Sequence, residues 1–104
     1  MLFRSDAAGA LKQARLAVAK SPRWPDAQRA EGRALHALRQ DGEAVKAYAR
    51  AAAVSPNWGA LDLDWGIALA AQGEREAAAA KWRAAGALDL SPADRARLNA
   101  LLKG

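Results

Sequence analysis

Apolar residues recur three and four positions apart along most of the chain, the spacing of one helix face. In the first such stretch, from about residue 6 to 20, they include Leu11, Ala14 and Val18. In the second, from about 25 to 39, they include Ala34 and Leu35. Further stretches run to about residue 54, over about 58–71, over about 74–88, and from Pro92 onward. The pattern predicts six helices.

Turn and capping residues separate these stretches. Ser21-Pro22 and Pro25 end the first helix and open the second. Asp41-Gly42 predicts the next turn, and Gln72-Gly73 closes the fourth helix with a left-handed glycine. Ser91-Pro92-Ala93-Asp94 predicts a capping box with proline at the first helical position. These signals therefore separate most of the predicted helices from one another.

The chain also repeats itself at an offset of 34 residues. Ser21-Pro22-Arg23-Trp24 aligns with Ser55-Pro56-Asn57-Trp58. The same offset pairs residues of several types over a full period: Gly32 with Gly66, Leu35 with Leu69, Ala44 with Ala78, Tyr48 with Trp82, and Ala51 with Ala85. Because the matches include glycine, proline and aromatic residues, the alanine content alone does not explain them. The chain is therefore expected to contain a repeated structural unit.

This repeat resembles the tetratricopeptide repeat (TPR), a helix-turn-helix unit with small residues at helix contacts and a large aromatic opposite them. The resemblance implies an all-α, right-handed superhelix of antiparallel helix pairs. It divides a single domain into half a unit (6–22), two units (23–56 and 57–90) and a capping helix (91–104). The matching positions are Gly32, Gly66, Ala44, Ala78, Ala51 and Ala85 for small residues, Tyr48 and Trp82 for aromatics, Gly73 for the turn, and Pro22 and Pro56 for the terminating proline.

Some positions depart from the family pattern. Gln28, Glu31 and Asp62 stand where the first helix of a unit usually carries apolar residues. Arg39 replaces the turn glycine of the earlier unit, and Pro92 follows Pro56 by 36 residues instead of 34. We expect these departures to affect local packing around Glu31 and to leave the architecture intact.

The first helix matches the second half of a unit, so its apolar face would lack one neighbour. Three alternatives remain open: Met1-Leu2-Phe3 folds back on it, a second copy of the chain covers it, or the chain is an excerpt of a longer array. The last helix resembles the solvating cap that follows a final TPR unit.

Composition excludes several functional classes. There is no cysteine for thiolate metal sites or cysteine catalysis, and β-branched residues number only four, which disfavours a sheet. No stretch has the length of a membrane span or a signal peptide, so we expect a cytoplasmic protein. The sole histidine, His36, has no cluster of metal ligands around it in sequence, and the glycines form no phosphate-binding pattern. We therefore expect no enzyme activity, no metal and no cofactor.

Binding in the groove of the superhelix is the function that the resemblance implies. Its groove positions carry over to Asp26, Arg29, Arg33 and His36 in one unit and to Ala60, Leu63, Asp64, Ile67 and Ala70 in the next. One wall would be basic and the other apolar, which suits an acidic peptide or partner helix with an apolar anchor. Alternatively, the two arginines solvate a helix surface, and an adjacent repeat or the final helix covers Leu63 and Ile67.

Charge suggests a further alternative. Residues 1–52 carry ten basic and five acidic side chains, while residues 53–104 carry six of each, so the net charge of +5 lies in the front half. A basic surface of this kind is a feature of nucleic-acid binding proteins. The basic residues are spread around every helix, however, and the four tryptophans are predicted to belong to the core. The sequence therefore favours a protein-interaction module, with a self-associating end segment of a longer array as the alternative.

Overall fold

The computed structural model describes residues 4–103. In this range it contains six α-helices and no strand, so the predicted all-α fold with six helices is confirmed. The helices are α1 (Arg4–Lys20), α2 (Pro25–Ala37), α3 (Asp41–Val54), α4 (Gly59–Ala71), α5 (Arg75–Gly86) and α6 (Pro92–Lys103). The segment Met1-Leu2-Phe3, one of the three alternative covers for the first helix, lies outside the described residues. None of the helices described has the length and apolar content needed to cross a membrane.

The turn predicted at Asp41-Gly42 is wrong. Both residues lie in the first turn of α3, and the left-handed residue is Arg39, with φ of 63°. The backbone N–H of Gln40 donates to the carbonyl of Leu35 at 2.8 Å, which closes the end of α2. Asp41 instead lies near the positive end of the α3 dipole, where a carboxylate is favoured. The end of α2 is therefore set by the backbone hydrogen bond of Gln40, the residue just before the Asp-Gly pair.

The end of α4 has the same geometry as the end of α2. Gly73 has φ of 84°, as predicted for a left-handed glycine. The N–H of Glu74 donates to the carbonyl of Leu69 at 2.9 Å. These residues follow Arg39, Gln40 and Leu35 by 34 positions, so the repeat extends to the hydrogen bonds at the helix ends.

The chain divides into two compact units, Met1–Pro56 and Asn57–Gly104. In the first unit α2 packs against both α1 and α3. Its buried apolar residues include Leu11 of α1, Leu35 of α2 and Tyr48 of α3. In the second unit α4 packs against α5, and α6 contacts both of these helices. Leu63, Ala85 and Leu98 form the buried cluster of this unit, one residue from each helix.

Each unit contains a glycine directly beneath an aromatic ring. A Cβ built on Gly32 would overlap the ring of Tyr48, and one built on Gly66 would overlap the indole of Trp82. Only a residue without a side chain allows these helices to approach so closely. The small residues predicted at the other contact positions are fully buried: Ala44, Ala51, Ala78 and Ala85.

The prediction that all four tryptophans are core residues is wrong for Trp24. This side chain is 50% exposed, whereas Trp58, Trp65 and Trp82 are half-buried. Trp24 occupies the N-cap position of α2, just outside the helix. A residue at this position lies outside the 3.6-residue pattern that directs helix side chains into the core. The repeated Trp24 and Trp58 therefore mark the starts of α2 and α4, each at the N-cap position.

One of the two hydrogen bonds of the capping box predicted for the last helix is present. The backbone N–H of Asp94 donates to the hydroxyl oxygen of Ser91 at 3.1 Å, and Pro92 is the first residue of α6. Because α6 contacts both α4 and α5, this cap positions the residues of α6 that face α4.

Candidate protein-interaction surface

The predicted residues of α2 share one side of that helix. Asp26, Arg29, Arg33 and His36, here called the α2 row, follow one another at helical spacing. Asp26 and Arg33 are exposed, and Arg29 and His36 are half-buried. The buried residues of α2 occupy its other sides: Ala27, Gln28, Glu31, Gly32, Ala34 and Leu35. The α2 row is thus an accessible surface on a helix that is packed on both flanks.

A buried carboxylate fixes α2 between its neighbours. Glu31 accepts hydrogen bonds from Nε of Arg15 on α1 and from Nη2 of Arg50 on α3, both at 3.4 Å. Its side chain is only 10% exposed, whereas the two arginines are more than half exposed. Glu31, one of the departures from the TPR pattern, therefore has a cationic partner on each neighbouring helix. These two partners offset the free-energy cost of burying its negative charge. Sequence reasoning marked Glu31 as anomalous but did not identify its partners.

Gln28, the second departure, holds the loop before α2. Its Nε2 donates to the carbonyl of Pro22 at 2.6 Å, and its side chain is buried. Its Oε1 is buried without a hydrogen-bond partner among the described residues. The amide thus ties the start of α2 to the preceding turn, so this polar residue has a structural role.

His36 is held by the next helix. Its Nδ1 lies 2.5 Å from Oδ1 of Asp41, which belongs to the first turn of α3. This contact orients the ring at the C-terminal end of the α2 row. No group of three or more metal-ligating side chains occurs among residues 4–103.

Both predicted arginines of the α2 row are well placed for anion contacts. Arg29 and Arg33 are four residues apart, so their side chains leave the same side of the helix. Each also takes part in an interaction within the protein. A guanidinium group has five N–H donors, and this geometry suits it to bind a carboxylate through paired hydrogen bonds.

The predicted residues of α4 have a different environment. Leu63 is fully buried and packs against Leu98 of α6 in the core of the second unit. Asp64 is also buried, and its Oδ1 accepts a hydrogen bond from Nη2 of Arg97 on α6 at 2.8 Å. This bond raises the pKa of Arg97 above its ordinary value. Of the two alternatives for Leu63, the structure favours cover by the final helix.

The remaining predicted residues of α4 are partly accessible. Ala60, Ile67 and Ala70 are half-buried. They belong to the second unit, whereas the α2 row belongs to the first. The α2 row is therefore described as a surface of the first unit alone. Of the groove residues predicted on α4, only these three have side chains that are partly exposed to solvent.

Asp62, the third departure, lies near a lysine of α5. Burial raises the pKa of the Asp62 carboxyl, and the positive charge of Lys81 partly opposes this shift. Lys81 also places its Nζ 3.5 Å from the centroid of the Trp65 ring, a cation–π contact. Asp62 of α4 thus lies near the positive charge of Lys81 on α5, the helix that packs against α4.

The first unit has one further feature that sequence reasoning did not locate. A cleft of about 370 Å³, here called the α1 cleft, is lined by Ala8, Leu11, Lys12, Arg15, Leu16 and Leu38. Leu16 is 52% exposed, so its side chain contributes apolar surface to solvent. The signal in the sequence is that Leu16 lies outside the helix face that Leu11, Ala14 and Val18 share.

No protein-family model matches the chain, and the search of curated proteins finds no match.

Proposed function

We propose that this chain is a non-catalytic protein-interaction module of TPR type that binds an acidic peptide or partner helix along the α2 row. The observation that carries the proposal is the α2 row itself: two arginines one turn apart on the accessible side of a helix that is packed on both flanks. The proposal includes the right-handed superhelical stacking that the resemblance implies.

Two repeated features support a TPR-type architecture. Glycine lies under an aromatic ring in both units, at Gly32 with Tyr48 and at Gly66 with Trp82. The hydrogen bonds that end α2 recur 34 residues later at the end of α4. Proteins built from such helix pairs use their first helices as binding surfaces, which in this chain corresponds to α2.

The chemistry of the α2 row favours an anionic partner. Guanidinium groups form paired hydrogen bonds with carboxylates, and these bonds are stronger than those between neutral groups. The front half of the chain also has an excess of basic residues, which attracts an acidic partner during encounter. Because the exposed surface is short, we expect a dissociation constant in the micromolar range, about −8 kcal/mol.

A displayed library of random peptides tests the proposal. Peptides are selected on the wild-type chain and then measured individually by fluorescence anisotropy against wild type and the Arg29→Gln/Arg33→Gln variant. We expect the selected sequences to be rich in Asp and Glu and to bind the variant about tenfold more weakly or worse. The matched control is Lys20→Gln/Arg23→Gln, which removes two exposed positive charges outside the row. Equal loss in both variants, or selection of no acidic peptides, would contradict the proposal.

Self-association through α1 is a second candidate, favoured by the apolar α1 cleft and the exposed Leu16. Sedimentation equilibrium over a range of concentrations would then detect a dimer that Leu16→Glu dissociates. Gln13→Glu is the control, because Gln13 is exposed on α1 and does not line the cleft. A monomer at all concentrations would exclude this candidate without affecting the first.

A further inference from the structure

A second cleft opens within the second unit, between the end of α4, the part of α5 from Arg75 to Trp82, and the end of α6. Its volume is about 550 Å³, which lies within the usual range for small-molecule sites. It is here called the α5–α6 cleft, and its lining residues are Ala70, Arg75, Ala78, Ala79, Trp82, Ala100, Leu101 and Leu102. None of these residues belongs to the α2 row, so the cleft is independent of the proposed peptide surface.

Six of the eight side chains that line this cleft are aliphatic. Four are alanines and two are leucines. The indole N–H of Trp82 already donates to the carbonyl of Leu63 at 3.3 Å, so the ring presents its carbon atoms to the cleft. A peptide backbone placed here would lose its hydrogen bonds to water without replacement from these side chains, which is costly. A hydrocarbon chain has no such groups to satisfy.

Arg75 is the one charged side chain among the lining residues. It is exposed at the first position of α5, and no carboxylate among the described residues forms an ion pair with it. Glu74 and Glu76 flank it in sequence but do not line the cleft. A guanidinium at the edge of an apolar cleft is suited to one carboxylate, which it binds through two parallel hydrogen bonds.

We propose that the α5–α6 cleft binds an aliphatic monocarboxylate, a molecule of the fatty-acid class. The hydrocarbon chain lies against Trp82 and Leu101, and the carboxylate pairs with Arg75. Leu102, which is 52% exposed at the rim, is covered when the ligand binds. The affinity arises from removal of apolar surface from water, and the guanidinium selects the acid over neutral molecules of similar length.

Titration with decanoate, followed by calorimetry and tryptophan fluorescence, tests this assignment. Decanol has the same chain length without the charge, and acetate has the charge without the chain. We expect saturable binding of one decanoate per chain, binding of decanol about tenfold weaker, and no binding of acetate in the same range. Ala79→Leu, which fills part of the cleft, is expected to abolish decanoate binding while the circular dichroism spectrum stays helical.

A matched pair of variants examines the role of the guanidinium. Arg75→Gln is expected to weaken decanoate binding about tenfold. Arg83→Gln removes the same charge from an exposed position of the same helix, outside the cleft, and is expected to leave the affinity unchanged. Equal binding of decanoate by wild type and Arg75→Gln, equal binding of decanol and decanoate, or absence of saturable binding would each overturn the proposal.

Discussion

Arg39 and Gly73 adopt the same left-handed backbone conformation, just after the ends of α2 and α4, with φ of 63° and 84°. In both cases the next residue donates its N–H to a carbonyl five positions earlier. Glycine adopts this conformation without a steric penalty, whereas the Cβ of an L-residue costs about 1–2 kcal/mol. The first unit therefore contains local strain that the second unit avoids.

We expect Arg39→Gly to raise the free energy of unfolding by about 0.5–1 kcal/mol. Removal of the strain outweighs the greater flexibility of glycine in the unfolded chain. Urea denaturation monitored by circular dichroism measures the change. Arg23→Gly is the control, because Arg23 lies in a turn with negative φ, and this substitution should lower stability. Parallel losses in the two variants would show that strain at Arg39 is negligible.

Gly66→Ala is expected to lower the free energy of unfolding by about 1–3 kcal/mol. The added methyl group overlaps the indole of Trp82, and that ring is fixed by its hydrogen bond to Leu63. Gly9→Ala is the matched control, because nothing lies within 4 Å of a Cβ at this position of α1. There, alanine should stabilise the helix by about 0.5–1 kcal/mol. Stabilisation at both positions would contradict the close contact between α4 and α5.

The ion pair between Asp64 and Arg97 leads to an asymmetric prediction. The side chain of Asp64 is 5% exposed, whereas that of Arg97 is 38% exposed. Arg97→Met removes the guanidinium from a buried carboxylate and should cost about 1–3 kcal/mol. Asp64→Asn should cost less, because water can solvate the guanidinium that stays behind. Thermal unfolding of both variants compares the two losses, and a larger loss in Asp64→Asn would contradict the assignment of burial.

Asp62 predicts a pH dependence of stability. Because burial raises its pKa in the folded protein, the folded state binds a proton more tightly than the unfolded state does. The contribution of Asp62 to stability therefore falls as the pH rises from the unfolded pKa through the folded pKa. Asp62→Asn should remove this loss, so the variant gains stability relative to wild type at pH 7 and gains less at pH 4. Melting temperatures at the two pH values provide the measurement, and an equal difference at both would contradict it.

Lys81 offers a check on the same group. Its positive charge lowers the pKa of Asp62 in opposition to burial. Lys81→Met should therefore widen the pH range over which wild-type stability changes. In the Asp62→Asn background, the same substitution should have no such effect on the pH profile.

The helices and their repetition could be predicted from the amino-acid sequence. Helical spacing of apolar residues and the turn residues between them are local signals, and six helices follow from them. The 34-residue offset also identifies the contact residues Gly32, Tyr48, Gly66 and Trp82. A glycine paired with a large aromatic in both units indicates two helices in close contact, and the rings do lie against these glycines. These features depend on neighbours in sequence or on one fixed offset.

Which polar and apolar side chains are buried around those helices depends on how the helices pack together. Glu31 is buried because arginines from two other helices reach it, and neither is adjacent to it in sequence. Leu63 and Asp64 are covered because α6 packs on α4, which removes them from the accessible surface. The helical period assigns residues to a face, but which faces are covered depends on contacts between helices distant in the chain. The exposure of the α2 row and the two clefts follows from those contacts.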